Sequence, residues 1–171
     1  NALGIGPGLG QDKRTASALV RTLERFGKAV VLDADALNIL STERSLLGLL
    51  APGSILTPHP KEFERLVGKW KNDFERLEMQ KQFAVSLKCV VVLKGAHTSI
   101  VDQKGVVFFN STGNPGMATG GTGDVLTGII TGLLAQNYNP VEAAVMGVFL
   151  HGLAGDLAVL ETGVDSLIAS D

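Results

Sequence analysis

The sequence predicts an α/β fold built on a mostly parallel sheet with helices on its faces. Three observations carry that expectation. The runs "AVVLD" (29–33), "SILT" (54–57) and "CVVVL" (89–93) are short, apolar and rich in β-branched residues, without the polar alternation of a half-exposed strand. That is the pattern of strands buried on both faces of a parallel sheet. Between them lie segments whose apolar residues recur at helical spacing. Polar clusters rich in glycine or proline follow the runs, at the strand ends where open α/β sheets bind ligands.

The elements follow in order. Residues 1–8, "NALGIGPG", read as a short strand entering a loop, with no signal peptide ahead of it. The absence of an initiating methionine, with a strand at the very start, predicts a fragment of a longer polypeptide. Residues 14–26 place Ala16, Leu19, Val20, Leu23 and Phe26 on one helical face, and Gly27 suits a left-handed C-terminal cap. Helical material is expected again through "ALNILSTERSLLGLL" (36–50), then a helix at 60–67. Another is expected at about 73–87, with Asn72 and Glu75 at capping-box spacing. "TSIV" and "VVFF", joined by "DQKG", predict a hairpin at a sheet edge. From Asp124 onward two apolar helices are expected, with "YN" between them and Pro140 in the first turn of the second.

Composition narrows the function classes. With 171 residues, 45% hydrophobic and 19% charged, the chain suits one globular domain, residues 1–171, with no linker or internal repeat. The formal net charge is −2 and the isoelectric point is near 5.9. Lysines and arginines are scattered, so no nucleic-acid footprint is present and a small soluble ligand is the expected partner. The single cysteine, Cys89, excludes an intrachain disulfide and a cysteine-based zinc cluster, and points to a reducing cytoplasm. Residues 141–160 are long enough to span a bilayer, but Glu142, His151 and Asp156 interrupt them, so a buried helix of a soluble core is expected.

The segment "GGTGD" concentrates the chemistry. Gly120, Gly121 and Gly123 let the backbone approach a ligand, and the apolar run after Asp124 predicts a helix whose first amides point back into the turn. Such a turn holds anions. Asp124 there is either a plain N-cap or a general base that takes a proton from a hydroxyl attacking phosphorus. Neither G-x-x-x-x-G-K-[ST] nor G-x-G-x-x-G with a downstream acid is present, so a P-loop or a dinucleotide Rossmann site is not supported.

Other polar residues have plainer readings. Strand alternation aims Asp33 and Asp35 in opposite directions, and Asp35 with Asn38 is the expected polar floor of the site. His151 reads as a hydrogen-bonded core residue, Gly128 and Gly132 as a close helix contact, and Trp70 as a partly exposed loop anchor.

Six segments, "GIGPGLG", "LDADALN", "LTPHPKEFERL", "VLKGAHT", "GNPGMATGGTGDVLTGIITGLLAQ" and the terminal "LIASD", occur in that order over nearly the whole chain. Together they resemble the ribokinase-like superfamily and, within it, the ADP- or ATP-dependent NAD(P)H-hydrate dehydratases. The resemblance implies a ribokinase-like three-layer α/β/α fold, here lacking its N-terminal part, since family members have further residues before the "GPGLG" strand. It implies a lyase that uses a nucleotide to phosphorylate the hydroxyl of hydrated NADH or NADPH, after which phosphate leaves and the reduced cofactor is restored.

Carried onto this chain, the resemblance makes Asp124 the base at the substrate hydroxyl, with the amides of Gly121, Thr122 and Gly123 around the transferring phosphate. Gly10 and His59, with Asp124, would touch the hydrate. Lys94, Gly95, Ala96, His97 and Thr98 would line the nucleotide site, joined by Gly123. Glu62 would act on magnesium through water. His59 stands where many superfamily kinases have asparagine, which favours the dehydratase branch. Lys61 stands where many family members have glycine and is expected to face solvent. The implied co-substrate is ADP or ATP with Mg2+, in a cytoplasmic homo-oligomer, a tetramer among the states allowed, without nucleic-acid or membrane partners. A small-molecule kinase of the hydroxyethylthiazole or hydroxymethylpyrimidine type and an inactive adenylate-binding module remain alternatives.

Overall fold

A computed structural model describes residues 2–171; Asn1, the start of the expected first strand, lies outside the described residues. Six strands form one sheet in chain order: β1 (Gly4–Ile5), β2 (Val31–Leu32), β3 (Ile55–Leu56), β4 (Val90–Leu93), β5 (Ser99–Val101) and β6 (Val107–Phe109). The first four are parallel, with Ile5 opposite Leu32, Leu32 opposite Leu56 and Leu56 opposite Val91. β5 and β6 complete the sheet as the expected antiparallel hairpin.

The unbroken apolar runs have their physical reason in two helical layers. On one face, Val30, Leu32, Leu56 and Cys89 pack with Leu19 and Leu23 of α1 (Lys13–Phe26) and Leu37 and Leu40 of α2 (Ala34–Thr42). Phe63 of α3 (Pro60–Val67) and Ala84 of α4 (Asp73–Leu87) extend that layer over Val91 and Leu93. On the other face, Val31, Ile55, Val90 and Val92 meet Leu126 and Ile130 of α5 (Thr122–Ala135) and Ala143, Ala144 and Val148 of α6 (Pro140–Thr162). Each strand thus sends alternate residues into two different cores.

Caps set most helix limits. Asp12 accepts from the amides of Arg14 and Thr15, and Gly27 closes α1 at φ 58°. Asn72 accepts from the Glu75 amide, but the Glu75 carboxylate turns to the Lys71 amide, so only half of the capping box forms. The helical segment expected over 36–50 breaks: α2 stops at Thr42 and a 3-10 turn covers Arg44–Leu49. Ser41 and Thr42 mark the break, their hydroxyls donating back to the carbonyls of Asn38 and Ile39.

Two expectations need correction. Gly128 and Gly132 pack against nothing: a Cβ on either would meet open space. The close contact between α5 and α6 runs through Gly147, where a Cβ would stand 2.6 Å from Ile130 Cγ1. In α6, which is long and apolar enough to cross a membrane by length and composition, burial is confined to the stretch from Ala143 to Gly152. Its later turns expose Leu153, Leu157 and Leu160. Trp70 meets its expectation, half-buried with its ring 5.9 Å from that of Phe63.

Candidate functional site

The C-terminal ends of β3 and β4 and the first turn of α5 converge on a cleft of about 750 Å³. Its volume falls in the range of small-molecule sites, roughly 300–1,000 Å³. Lys94, Gly95, Ala96 and Thr98 after β4 line it, with Thr122 and Gly123 of α5 and His59 after β3. Seven of the residues expected from sequence are therefore brought together. His97 is exposed and Gly121 caps α5 from outside the lining, while Gly10, Glu62 and Asp124 also lie outside it.

The glycine turn forms as a helix entrance without a side-chain cap. Gly121 occupies the N-cap position at φ 93°, which a residue with a Cβ rarely adopts, and no side chain bonds the first amides. They remain free for an anion, favoured there by the helix dipole. Thr122 fixes the loop in front, its hydroxyl donating to the carbonyls of Met117 and Thr119 at 2.8 and 2.9 Å. Asp124 stands in the first turn, two residues past the helix start, so the plain N-cap reading does not hold. Its carboxylate is exposed and, among the described residues, accepts no hydrogen bond.

Beneath this turn lies a partly buried ion pair. Lys94 Nζ donates to Asp33 Oδ1 at 2.7 Å, and Thr127 Oγ1 donates to Asp33 Oδ2 at 3.0 Å. A Cβ on Gly123 would lie 3.4 Å from Lys94 Nζ, so the ammonium sits against the α5 entrance. The expected floor of Asp35 and Asn38 is thereby corrected. Asp35 already belongs to α2, so strand alternation does not govern it. It accepts from the Gly10 amide and from Gln11, bonds that hold its carboxyl below the usual range, the Gln11 bond most. Asn38 is tied to Arg65 at 2.7 Å.

His59 and Glu62 are coupled. His59 caps α3, its Nδ1 accepting from the Lys61 and Glu62 amides, while Glu62 Oε2 accepts from the His59 amide at 2.8 Å. An accepting Nδ1 leaves the ring proton on Nε2, which faces Glu62 Oε1 at 3.4 Å. Lys61 points to solvent. Glu62 is buried, and among the described residues no group of three His, Cys, Asp or Glu side chains forms a metal cage. One carboxylate with spare lone pairs fits a magnesium ion held mostly by water and phosphate oxygens.

The far wall was missed by sequence reasoning: Asn110, Thr112, Asn114, Met117 and His151. Asp156 of α6 organises part of it, accepting from the Gly113 amide at 2.8 Å and from Asn114 Nδ2 at 3.0 Å. An aspartate interrupting an apolar helix was the available signal. His151 is half-buried at the cleft rather than in the core. Burial holds its imidazole below the ordinary value, the Thr122 backbone opposes this, and the Lys94 charge adds to it.

A family model described as NAD(P)H-hydrate dehydratase matches residues 1–171. Among curated proteins, the bifunctional NAD(P)H-hydrate repair enzyme Nnr of Moorella thermoacetica is 47% identical over 174 residues, covering 100% of this chain and 33% of that protein. The ADP-dependent (S)-NAD(P)H-hydrate dehydratase of Bacillus subtilis is 39% identical, covering 99% of this chain and 60% of that one. The crystal structure of the ADP/ATP-dependent NAD(P)H-hydrate dehydratase from Bacillus subtilis, co-crystallised with ATP/Mg2+, superposes with a TM-score of 0.81 at 37% identity, covering 96% of this chain and 58% of that chain. A hydroxyethylthiazole kinase from Pyrococcus horikoshii, at 19% identity and a TM-score of 0.73, shares the fold.

Proposed function

The chain belongs to the NAD(P)H-hydrate dehydratase family, and from that premise we propose that the whole protein dehydrates hydrated NADH or NADPH at the expense of ADP or ATP. The observation that carries the reading is the cleft in which Lys94 and the uncapped first turn of α5 face the same space. Free amides, a helix N-terminus and an ammonium together suit the phosphates of a nucleotide. Residues 1–171 are taken as a single ribokinase-like domain.

In this reading Asp124 takes the proton of the hydrate hydroxyl as its oxygen attacks the terminal phosphorus. The amides of Gly121, Thr122 and Gly123, with Lys94, receive the charge that develops on the phosphoryl oxygens. AMP or ADP leaves as the phosphoryl group is transferred. Phosphate then departs with the electrons of the carbon–oxygen bond while the adjacent ring carbon gives up a proton to solvent, and the new double bond restores reduced nicotinamide. His59 and Gly10 would orient the hydrate, and Lys94 to Thr98 would hold the nucleotide. Glu62 would hold a magnesium ion through water, and that ion would supply charge neutralisation at the phosphates.

The protein is further proposed to be a cytoplasmic homo-oligomer, with a tetramer as one candidate. Support for self-association comes from the exposed α6 residues Phe149, Leu150, Leu153, Leu157 and Leu160, an apolar face larger than scattered surface residues make.

Incubation with hydrated NADH and ADP or ATP tests the function. Recovery of reduced-nicotinamide absorbance with stoichiometric phosphate release is the expected result. Nucleotide consumption without that recovery would instead assign a kinase of the same fold, and nucleotide binding without turnover an inactive adenylate-binding module.

A further inference from the structure

Asp33 occupies the N-cap position of α2, where an aspartate normally accepts from an amide in the first helical turn, yet its side chain caps nothing. Both carboxylate oxygens are used elsewhere, one by Lys94 Nζ and one by Thr127 Oγ1. The Asp33 side chain is 2% exposed and that of Lys94 21%. Removing two charges from water is costly, and such pairs are poor devices for stability alone.

The backbone around Asp33 is equally constrained. Gly6, in the loop after β1, lies so close that a Cβ there would overlap the Asp33 carbonyl oxygen. Ala34, the next residue, has φ 45°, a region that non-glycine residues seldom adopt. Unusual local geometry of this kind is kept where surrounding contacts over-determine it. Three elements thus meet at one carboxylate: Asp33 stands at the junction of β2 and α2, Lys94 directly follows β4 and α5 supplies Thr127.

We propose that Asp33 is a positioning residue that aims the Lys94 ammonium at the phosphates of the bound nucleotide. An ammonium carries three N–H donors. One is committed to Asp33 Oδ1, which leaves two for phosphate oxygens at the α5 entrance. Thr127 lies one turn beyond Gly123, so the carboxylate is locked to the same helix that presents the amides. The flexible lysine stem is thereby held in one direction before nucleotide arrives, which lowers the ordering cost of binding. The role rests on the reading of the α5 turn as the nucleotide phosphate site.

The test is a double-mutant cycle on the whole protein, with ADP and adenosine as probes in equilibrium binding. Lys94→Met is expected to weaken ADP about 30-fold in the wild-type background, the range of a hydrogen bond to a charged group. In the Asp33→Asn background the same change is expected to cost less than about fivefold, because an unaimed lysine contributes little there. Adenosine affinity is expected to stay within about twofold in all four proteins. Equal ADP losses in both backgrounds overturn the proposal, and so does a parallel loss of adenosine affinity, which marks a structural role. Should Asp33→Asn fail to fold, Thr127→Val takes its place in the cycle, with a coupling of about threefold expected and none overturning. Absent hydrate turnover with the coupling intact faults the dehydratase reaction alone. A wild-type protein that does not prefer ADP to adenosine overturns both readings.

Discussion

Asp156, more than halfway along α6, holds Asn114 across the cleft wall: its Oδ1 accepts from Asn114 Nδ2 at 3.0 Å while its Oδ2 takes the Gly113 amide at 2.8 Å. Asn114 in turn accepts from the Gly116 amide, so one carboxylate orders a loop of several residues. Asp156→Ala is expected to loosen that loop and weaken nucleotide binding about tenfold, the scale of a charge-assisted hydrogen bond. The two bonds lower the Asp156 pKa from 3.8, the Gly113 amide most. A carboxyl with a depressed folded pKa stabilises fully above its unfolded value, and the contribution fades as pH falls through the folded one. The wild-type advantage over Asp156→Asn should therefore be complete above about pH 4 and disappear in more acid solution, as read by thermal unfolding across pH.

Asp124→Asn separates chemistry from architecture. Because Gly121 and not Asp124 caps α5, the amide removes a charge but no cap. Turnover is expected to fall by about 10² to 10⁴, the usual worth of a general base, with nucleotide affinity nearly unchanged. A variant that keeps more than about a tenth of the wild-type rate removes Asp124 from the role of base.

The glycine turn and Lys61 can be ranked by titration with adenine nucleotide. Gly121→Ala forces a Cβ into φ 93° and to within 3.1 Å of Ala169 Cβ, a strain of about 1–3 kcal/mol at the α5 entrance. At Gly123 the fold itself tolerates a methyl, 3.4 Å from Lys94 Nζ, but under the proposed function that methyl would crowd a phosphate approaching the ammonium. Lys61 is exposed and offers a screened interaction of at most about 1 kcal/mol. Both glycine variants should thus lose more affinity than Lys61→Ala; the reverse order moves the phosphate site to the loop after β3.

The sheet was legible because strands buried on both faces have one unambiguous pattern, which Val90, Val91 and Val92 carry in full. Part of the cleft lining was legible because glycine and lysine sit at strand ends in recognisable strings. Asp33 was passed over for Asp35 because period-two reasoning was extended across the boundary into α2, where Asp35 lies and the period changes. His151 and Asp156 were hidden by the apolar helix around them. Their partners, Thr122 and Asn114, lie 29 and 42 residues away, and only the fold supplies that proximity.

The same limit applies to glycines, and a pair of substitutions exposes it. Gly128 and Gly152 look alike in sequence, each a small residue in an apolar helix. Gly128 faces open space, so Gly128→Ala removes backbone freedom from the unfolded chain at no steric cost and should stabilise by about 1 kcal/mol. Gly152 is pressed onto the strand-to-cleft loop: a Cβ there would overlap Thr112 Oγ1 and stand 2.8 Å from the Thr112 carbonyl carbon. That loop cannot yield freely, because Thr112 Oγ1 also donates to the Phe149 carbonyl at 2.9 Å. Gly152→Ala should therefore destabilise by about 1–3 kcal/mol, the usual cost of overpacking, and should also weaken nucleotide binding, since Thr112 and Gly152 line the cleft. Denaturant midpoints that shift in the same direction for both variants would show that the α6 contact with the Thr112 loop is not the tight one described.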